Sequence, residues 1–401
     1  MRVKVSCVGG GPAGLYLSIL LKLQDPSHDI TVHERNPEGS TYGWGVTYWR
    51  GLLDRLHEHD PVSARAVEEN SVRWNDGVAH VRDLTTRHRG DEGHGIGRHR
   101  LLEILAARAR ELGVRLEFEA PVTADNLPEA DLVVAGDGVH SALRTAHADH
   151  FGTEVRAGRN HYVWLGTTQV FDAFHFAFVE TDHGWIWCYG YGFGPDRSTL
   201  VIECAPETWA GLGLDRADEA EGLAVLEKLF ADVLDGHPLL VQAGSQWLNF
   251  RTLTNRTWTH GNLVLMGDAA HTTHYSIGAG TTLALEDAMA LAGALRESAT
   301  IPEALARYES ERKAELLSVQ SAARYSAQWY EELPRYIQLP PRQMFALLGQ
   351  RHSPLLPHVP PRLYYRLDRA VGRLGALRRL KRWLGPRLAR SVHARRLASR
   401  D

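Results

Sequence analysis

Residues 3–36, VKVSCVGGGPAGLYLSILLKLQDPSHDITVHERN, set three glycines at G-x-G-x-x-G spacing between two regular elements. The apolar run over 3–8 reads as a buried strand, 15–23 as a helix, and 30–34 as a second strand. Together they make a βαβ unit, which commits the N-terminal part of the chain to a parallel, helix-covered sheet. Gly9 permits the tight turn, Gly11 lets the backbone approach a pyrophosphate, and Gly14 lets helix and strand pack closely. Pro12 and Ala13 lie at the positive helix end, where phosphates bind. Glu34 follows Gly14 by twenty residues and is placed to accept from ribose hydroxyls, with Arg35 beside it. A glycine turn alone is an ordinary strand-to-helix connection. With strand, helix and acid all in place, the segment points to a dinucleotide site, FAD and NAD being equally compatible with it.

The α/β pattern continues to about residue 157. Residues 98–112 carry Leu101, Leu102, Ile104, Leu105, Ala109 and Leu112 at helical spacing, and DLVVA at 131–135 reads as a strand. Between 159 and 204 the runs HYVWLGTTQVF, FHFAFVE, GWIWCYGYG and STLVIEC, separated by turn residues, indicate an inserted antiparallel sheet. The α/β signal returns with NLVLM at 262–266 and two helical segments, 280–296 and 301–329. The expected division is a discontinuous dinucleotide-binding domain (1–75, 95–157 and 247–330), a β-sheet substrate domain (76–94 and 158–246), and a helical, basic C-terminal region (331–401).

Bulk properties narrow the class. With 401 residues and 44% apolar content the chain can bury full cores, and a net charge of −3 gives no reason to expect nucleic acid. Charge is concentrated at the end: residues 351–401 hold fourteen Arg or Lys against Asp368 and Asp401. Cys7, Cys188 and Cys204 are far apart in apolar runs, which fits a reduced, cytoplasmic compartment. Neither a signal peptide nor a transmembrane segment is expected, since the chain enters its first strand at once and no run approaches eighteen apolar residues.

Two further motifs bear on the cofactor: DLVVAGDGVHSALR (131–144), with Asp137, Gly138, Ser141 and Arg144, and GNLVLMGDAAHTTHYSIGAGTTLALEDAMALAGAL (261–295). With the N-terminal glycines they make the chain similar to the class A flavin-dependent aromatic monooxygenases, the superfamily of p-hydroxybenzoate hydroxylase. The resemblance implies a Rossmann-like FAD-binding domain carrying an inserted antiparallel substrate sheet. It implies that Asp268 bonds the ribityl chain and that Gly278, Ala279 and Gly280, at a helix start, abut the isoalloxazine. Free N–H groups there suit a reduced, anionic flavin. It also implies that Arg98 faces the phosphates and adenosine, although a solvated helix arginine would show the same pattern. His271 and His274, three apart, lack a converging third ligand or a His-Glu-x-x-His pattern, so a loop beside flavin is expected there and no metal.

The chain carries HYSIGAG where many members have a proline loop. With GWGV at 43–46 and GRNHYVWLGTTQVFD at 158–172, this resembles a narrower branch that includes salicylyl-CoA 5-hydroxylase, anthraniloyl-CoA monooxygenase and the violacein-pathway tryptophan hydroxylase. TYWRG after GWGV departs from the salicylyl-CoA enzymes. The resemblance implies that NADPH or NADH reduces FAD, that O2 gives a C4a-hydroperoxyflavin, and that one oxygen passes to an aromatic ring. The substrate is then an aryl thioester on CoA or a carrier protein, such as salicylyl or anthraniloyl, or alternatively a free indole, tryptophan-derived or alkene molecule. Flavin halogenases carry Trp-x-Trp-x-Ile-Pro, whereas Trp185 and Trp187 here precede Cys-Tyr-Gly. A reductase or cyclase on the same fold, and a binding module without chemistry, are the other classes.

Candidates to act on or hold the ring are His274, Tyr275 and Trp44, with Arg159, Tyr162, Gln169, Trp187 and Tyr191 lining the pocket. Aromatic residues of an alternating sheet equally serve as core. The tail from 362 alternates leucines and arginines. It fits a helical cap docked on the main body, or a surface for an acidic carrier protein, the phosphates of CoA or an anionic membrane.

Overall fold

A computed structural model of the chain describes residues 2–242, 244–373 and 390–391. Among them are two sheets. The smaller has six strands in the order Thr259–His260, Leu263–Leu265, Leu132–Ala135, Lys4–Val8, Asp29–His33 and Arg115–Glu117, all pairs parallel except the first. Its central strands are apolar on both faces because helices cover both, as parallel sheets require: Cys7, Ile30, Val134 and Val264 are all buried. Helices Pro12–Gln24 and Gly280–Glu297 pack along each other on this sheet, with Arg98–Glu111 beside the first. Strand order reverses at Lys4–Val8, so the crevice beyond its carboxyl end is where a ligand fits an open α/β sheet.

The larger sheet has nine strands. Along Gly184–Gly192 the side chains alternate: Ile186 and Cys188 enter a core with Leu214, Leu226 and Phe230, whereas Tyr189 and Tyr191 point to the other face. On that face Trp74, Tyr162, Trp164, Phe174 and Tyr275 complete an aromatic layer. Two strands of this sheet, Gly45–Trp49 and Leu248–Asn255, and the ends of Val72–Val81 and Leu84–Gly97, lie in segments assigned above to the dinucleotide domain. Their pairing depends on register with strands far away in sequence, at Gly97 and Tyr162 for example, which local pattern does not report.

The long helix Ile301–Glu331 is followed by Leu333–Ile337, Pro341–Leu348 and Pro361–Arg373. Tyr336, Ile337, Met344, Leu347, Leu348 and Leu356 are all buried against Val81, Phe178, Trp185 and Trp187 of the large sheet. Residues 333–364 thus form a structural layer on the large sheet. The basic stretch beyond 373 lies outside the described residues, Arg390 and Ser391 excepted. Leu348→Ala is expected to cost about 2–5 kcal/mol in urea unfolding, the range of a core truncation. A loosely attached arm would show less than about 0.5 kcal/mol.

Candidate active site

The glycine turn is built as its residues require. Gly9 has φ 108°, and a Cβ there would stand 2.4 Å from the carbonyl oxygen of Gly136. A Cβ on Gly14 would stand 2.4 Å from the Gly9 carbonyl oxygen, so helix and strand touch through backbone. Gly11 caps the helix with Pro12 in its first turn and Ala13 buried behind, leaving N–H groups directed into the crevice. Glu34 accepts from the Gly10 N–H at 2.8 Å and from Asn36, which fixes its carboxylate at the crevice rim, and Arg35 follows on the exposed surface. Asp137 accepts from the Ala142 N–H at 2.9 Å through Oδ2, while its buried Oδ1 has no partner. Gly138 beside it has φ 81°. Buried Arg144 donates to the carbonyls of Val139 and Ala269, tying this turn to the next motif.

That motif is held from beneath by Asp287, which is 0% exposed. Its carboxylate accepts from the Gly267 N–H, from His271 Nε2 and from Arg312 Nε, each at 2.9 Å. Burial pushes its pKa up, but His271, Arg312 and the Gly267 N–H outweigh it and hold Asp287 below the usual carboxylate range. The turn so fixed presents Asp268 to the crevice, exposed and without a protein hydrogen-bond partner among the described residues. Desolvation raises the Asp268 carboxyl, opposed by the charges of His271 and Arg98. Arg98 opens its helix, half-buried, bonded to Thr41 Oγ1 and within the electrostatic reach of Asp268 and Glu34. An unpartnered acid, a half-paired acid, two helix starts and a Cβ-free turn along one crevice fit a dinucleotide.

Downstream, Gly278 (φ 61°) closes the turn Tyr275–Ile277, and a Cβ on it would meet Thr47 Oγ1 at 2.5 Å. Ala279 then caps the helix that starts at Gly280. The turn is clamped by a residue of the C-terminal layer, Arg351. Its guanidinium donates to the Ser276 carbonyl at 2.9 Å and to Ser326 Oγ at 3.1 Å; Ser326 bonds Ser276 Oγ at 2.7 Å, and Ser276 bonds His274 Nδ1 at 2.8 Å. Arginine only donates, so the arrangement that satisfies all four groups runs from Arg351 through Ser326 and Ser276 to an unprotonated His274 Nδ1. Burial, with the Arg351 charge adding to it, lowers the His274 pKa to about 3, so the ring is neutral at ordinary pH.

Tyr275 leaves this turn toward the aromatic face. Its ring centroid is 4.3 Å from that of His274, 4.4 Å from Tyr162 and 6.1 Å from Tyr189. Its hydroxyl donates to Glu203 Oε2 at 2.6 Å, and Glu203 Oε1 accepts from Asn160 Nδ2 at 2.7 Å. Tyr191 stands on the same face but directs its hydroxyl to the Gly45 carbonyl.

Other expected pocket residues are placed elsewhere. Arg159 has the strand parity opposite to Tyr162, and its exposed side chain pairs with Glu207 at 2.9 Å. The two-residue period of the strand thus turns it away from the aromatic face. Gln169 lies past the strand end, in a turn tied to Thr167. Trp44 is buried over Gly166, where a Cβ would lie 2.6 Å from its ring, and its indole N–H has no partner. Trp187 shares the face of Glu203, its partner in strand register, but stacks on Tyr330 at 5.8 Å in the C-terminal layer. Glu203, Asn160, Tyr189 and Arg351 are the site residues not expected from sequence. An acid inside the apolar run STLVIEC was the signal for Glu203; Arg351, the sole Arg or Lys between Arg342 and Arg362, carries no local motif.

The model of the FAD binding domain family matches residues 2–321 of the chain. Salicyloyl-CoA 5-hydroxylase of a Streptomyces species is 39% identical over 345 residues, covering 84% of this chain and 66% of that longer protein. The 3-hydroxy-4-methyl-anthranilyl-(aryl-carrier protein) 5-monooxygenase of Streptosporangium sibiricum is 37% identical over 334 residues, covering 83% of this chain and 90% of that one. Among solved structures, 2-methyl-3-hydroxypyridine-5-carboxylic acid oxygenase superposes with a TM-score of 0.70 over 83% of this chain and 92% of its own. At 20% identity the last speaks for the fold.

Two outcomes follow from the clamp. His274 is neutral when folded and protonates near 6.5 when unfolded, so its contribution is complete above about pH 6.5 and is lost as pH falls toward 3. Unfolding free energy of His274→Asn is expected to fall less steeply over that window, by up to about 1.4 kcal/mol per pH unit, in urea titrations at several pH values. Arg351→Ala is expected to raise KM and lower kcat/KM about tenfold or more while FAD content is retained, because Asp268 and the glycine turn are untouched. Loss of FAD with unchanged KM would contradict a clamp that acts only on the His274–Ser276 turn.

Proposed function

The chain belongs to the FAD binding domain family of flavoprotein monooxygenases, and from that premise we propose that it hydroxylates an aromatic acyl group carried as a thioester on CoA or on a carrier protein. FAD is its cofactor; reduced by NADPH or NADH and supplied with O2, it provides an electrophilic oxygen atom. In this reading the Gly9–Gly11–Gly14 turn and its helix start hold the pyrophosphate, Glu34 the ribose, and Arg98 with Asp137 and Gly138 the adenosine and phosphate side. Asp268 receives the ribityl hydroxyls. The Gly278–Gly280 backbone lies against the flavin ring. His274 and Tyr275 then border both that ring and the aromatic face.

The observation that carries the substrate assignment is the layer of Tyr162, Trp164, Phe174, Tyr189 and Tyr275 packed at the flavin turn. A flat, electron-rich ring fits against such a layer by offset stacking and edge contacts, and the layer keeps water from the reacting carbon. Thioester delivery rests on the likeness to the two relatives. Free, buried Cys7, Cys188 and Cys204 support a reduced, cytoplasmic setting, and among the described residues no helix is long and apolar enough to cross a membrane. The domain division proposed is a cofactor domain on the six-stranded sheet and a substrate domain on the nine-stranded one, roofed by residues 333–364.

NADPH oxidation by the FAD-loaded enzyme, screened over salicylyl-CoA, anthraniloyl-CoA, tryptophan and indoles with product mass, tests this directly. A thioester is expected to stimulate oxidation at least tenfold and to gain one oxygen atom. Stimulation by tryptophan or indoles alone would overturn the thioester assignment.

A further inference from the structure

Glu203 is the buried titratable group that cofactor binding leaves without a role. It is 1% exposed in the middle of the aromatic face, and its two hydrogen bonds come from neutral donors, Tyr275 and Asn160. The Trp187 indole N–H is turned toward it without a well-formed bond. The charged or ionisable groups around it are Glu331 of the long helix, Tyr162, Tyr189, Tyr275 and Tyr330, and the neighbouring Cys204, with no cation among them. Desolvation therefore dominates, Glu331 adds to it, and the carboxyl is pushed up to about 7 although Tyr275 and Asn160 favour the ionised form. A structural acceptor for the Tyr275 hydroxyl needs no charge: glutamine would serve at a smaller desolvation cost. An uncompensated carboxyl touching the tyrosine of the flavin turn is built to change protonation state.

We infer that Tyr275 and Glu203 form a proton relay for the ring hydroxyl or amino group of the substrate, with Tyr275 in contact with that group and Glu203 as the proton's resting place. This rests on the aromatic-hydroxylase reading above. Tyr275 is half-buried, and desolvation, with the Glu203 charge adding to it, raises its pKa well above 10, so it passes a proton without ionising. As the oxygen atom bonds to the ring carbon, the ring O–H bond electrons become a C=O π bond. That proton joins Tyr275 Oη while the proton of Tyr275 moves to Glu203 Oε2. Rearomatisation breaks the C–H bond: its electron pair returns to the ring and its proton ends on the newly bound oxygen as the new hydroxyl. The carbonyl oxygen takes a proton back from Tyr275, which recovers its own from Glu203. The balance is one C–H replaced by C–OH, with both side chains restored, and the oxidant is the oxygen the flavin reaction supplies. Glu203 acts through Tyr275 and is a positioning residue with proton-holding capacity.

The relay is tested on the FAD-loaded wild type, Glu203→Gln and Tyr275→Phe. With salicylyl-CoA, wild-type kcat is expected to rise through about pH 7 to a plateau. Both variants should lose that limb and fall on the order of 100-fold in kcat at the plateau with KM little changed, and the double variant should be no slower than either. A retained limb in Glu203→Gln, or additive losses, overturns the relay. A second readout needs no turnover: calorimetric binding of 4-nitrophenol at about pH 8, where the free phenol is ionised, in buffers of different ionisation enthalpy. Wild type should take up close to one proton per phenolate bound, because Glu203 must protonate beside it, and Glu203→Gln close to none. No binding, or equal uptake by both proteins, overturns the relay. Failure of wild type to turn over any thioester contradicts the substrate assignment alone, and the proton count then still decides the relay.

Discussion

The arrangement turns on one fully buried carboxylate. Asp287 joins the Gly267 turn, the His271 ring and Arg312 of the long helix through three hydrogen bonds of 2.9 Å. A buried ion pair of this kind is weak evidence for stability, since its desolvation offsets much of its attraction. Its consequence is geometric. Asp287 pins the start of the chain that runs from the strand Leu263–Leu265 to the helix Gly280–Glu297, and so fixes the turn that carries Asp268. Removing one partner would leave a charge buried without compensation, which typically costs about 3–5 kcal/mol.

From that lock, order spreads in two directions. Toward the small sheet, Arg144 links the Ala269 carbonyl to the Asp137 turn, so the acids along the crevice are held in one frame. Toward the large sheet, Tyr275 reaches Glu203 and Arg351 grips Ser276. The residues between His271 and Gly280 are therefore shared by the cofactor crevice, the aromatic face and the C-terminal layer. A segment with three sets of partners can position a ring against a flavin without a dedicated domain hinge.

Much of this was legible in the residues, and for identifiable reasons. The G-x-G-x-x-G turn, Glu34, Asp137 and Asp268 are local motifs whose backbone demands are met within a few positions, so pattern and structure coincide there. Strand membership was less legible: Gly45–Trp49 and Leu248–Asn255 pair with strands distant in sequence. The turn of Arg159 toward Glu207 follows from strand parity, and the stacking of Trp187 on Tyr330 is a contact that only the fold brings about. The C-terminal region was obscured by its composition. Its arginines dominate the sequence, whereas Tyr336, Met344 and Leu348 decide where residues 333–364 lie.

In the proposed reaction one atom of molecular oxygen is placed on a ring held between the aromatic face and the flavin turn. Turnover of salicylyl-CoA by the FAD-loaded enzyme under 18O2 in ordinary water, with product mass measured, tests it most directly. The account predicts one 18O atom in the aromatic product. Product carrying only oxygen from water, or NADPH consumed with no oxygenated product, would contradict it.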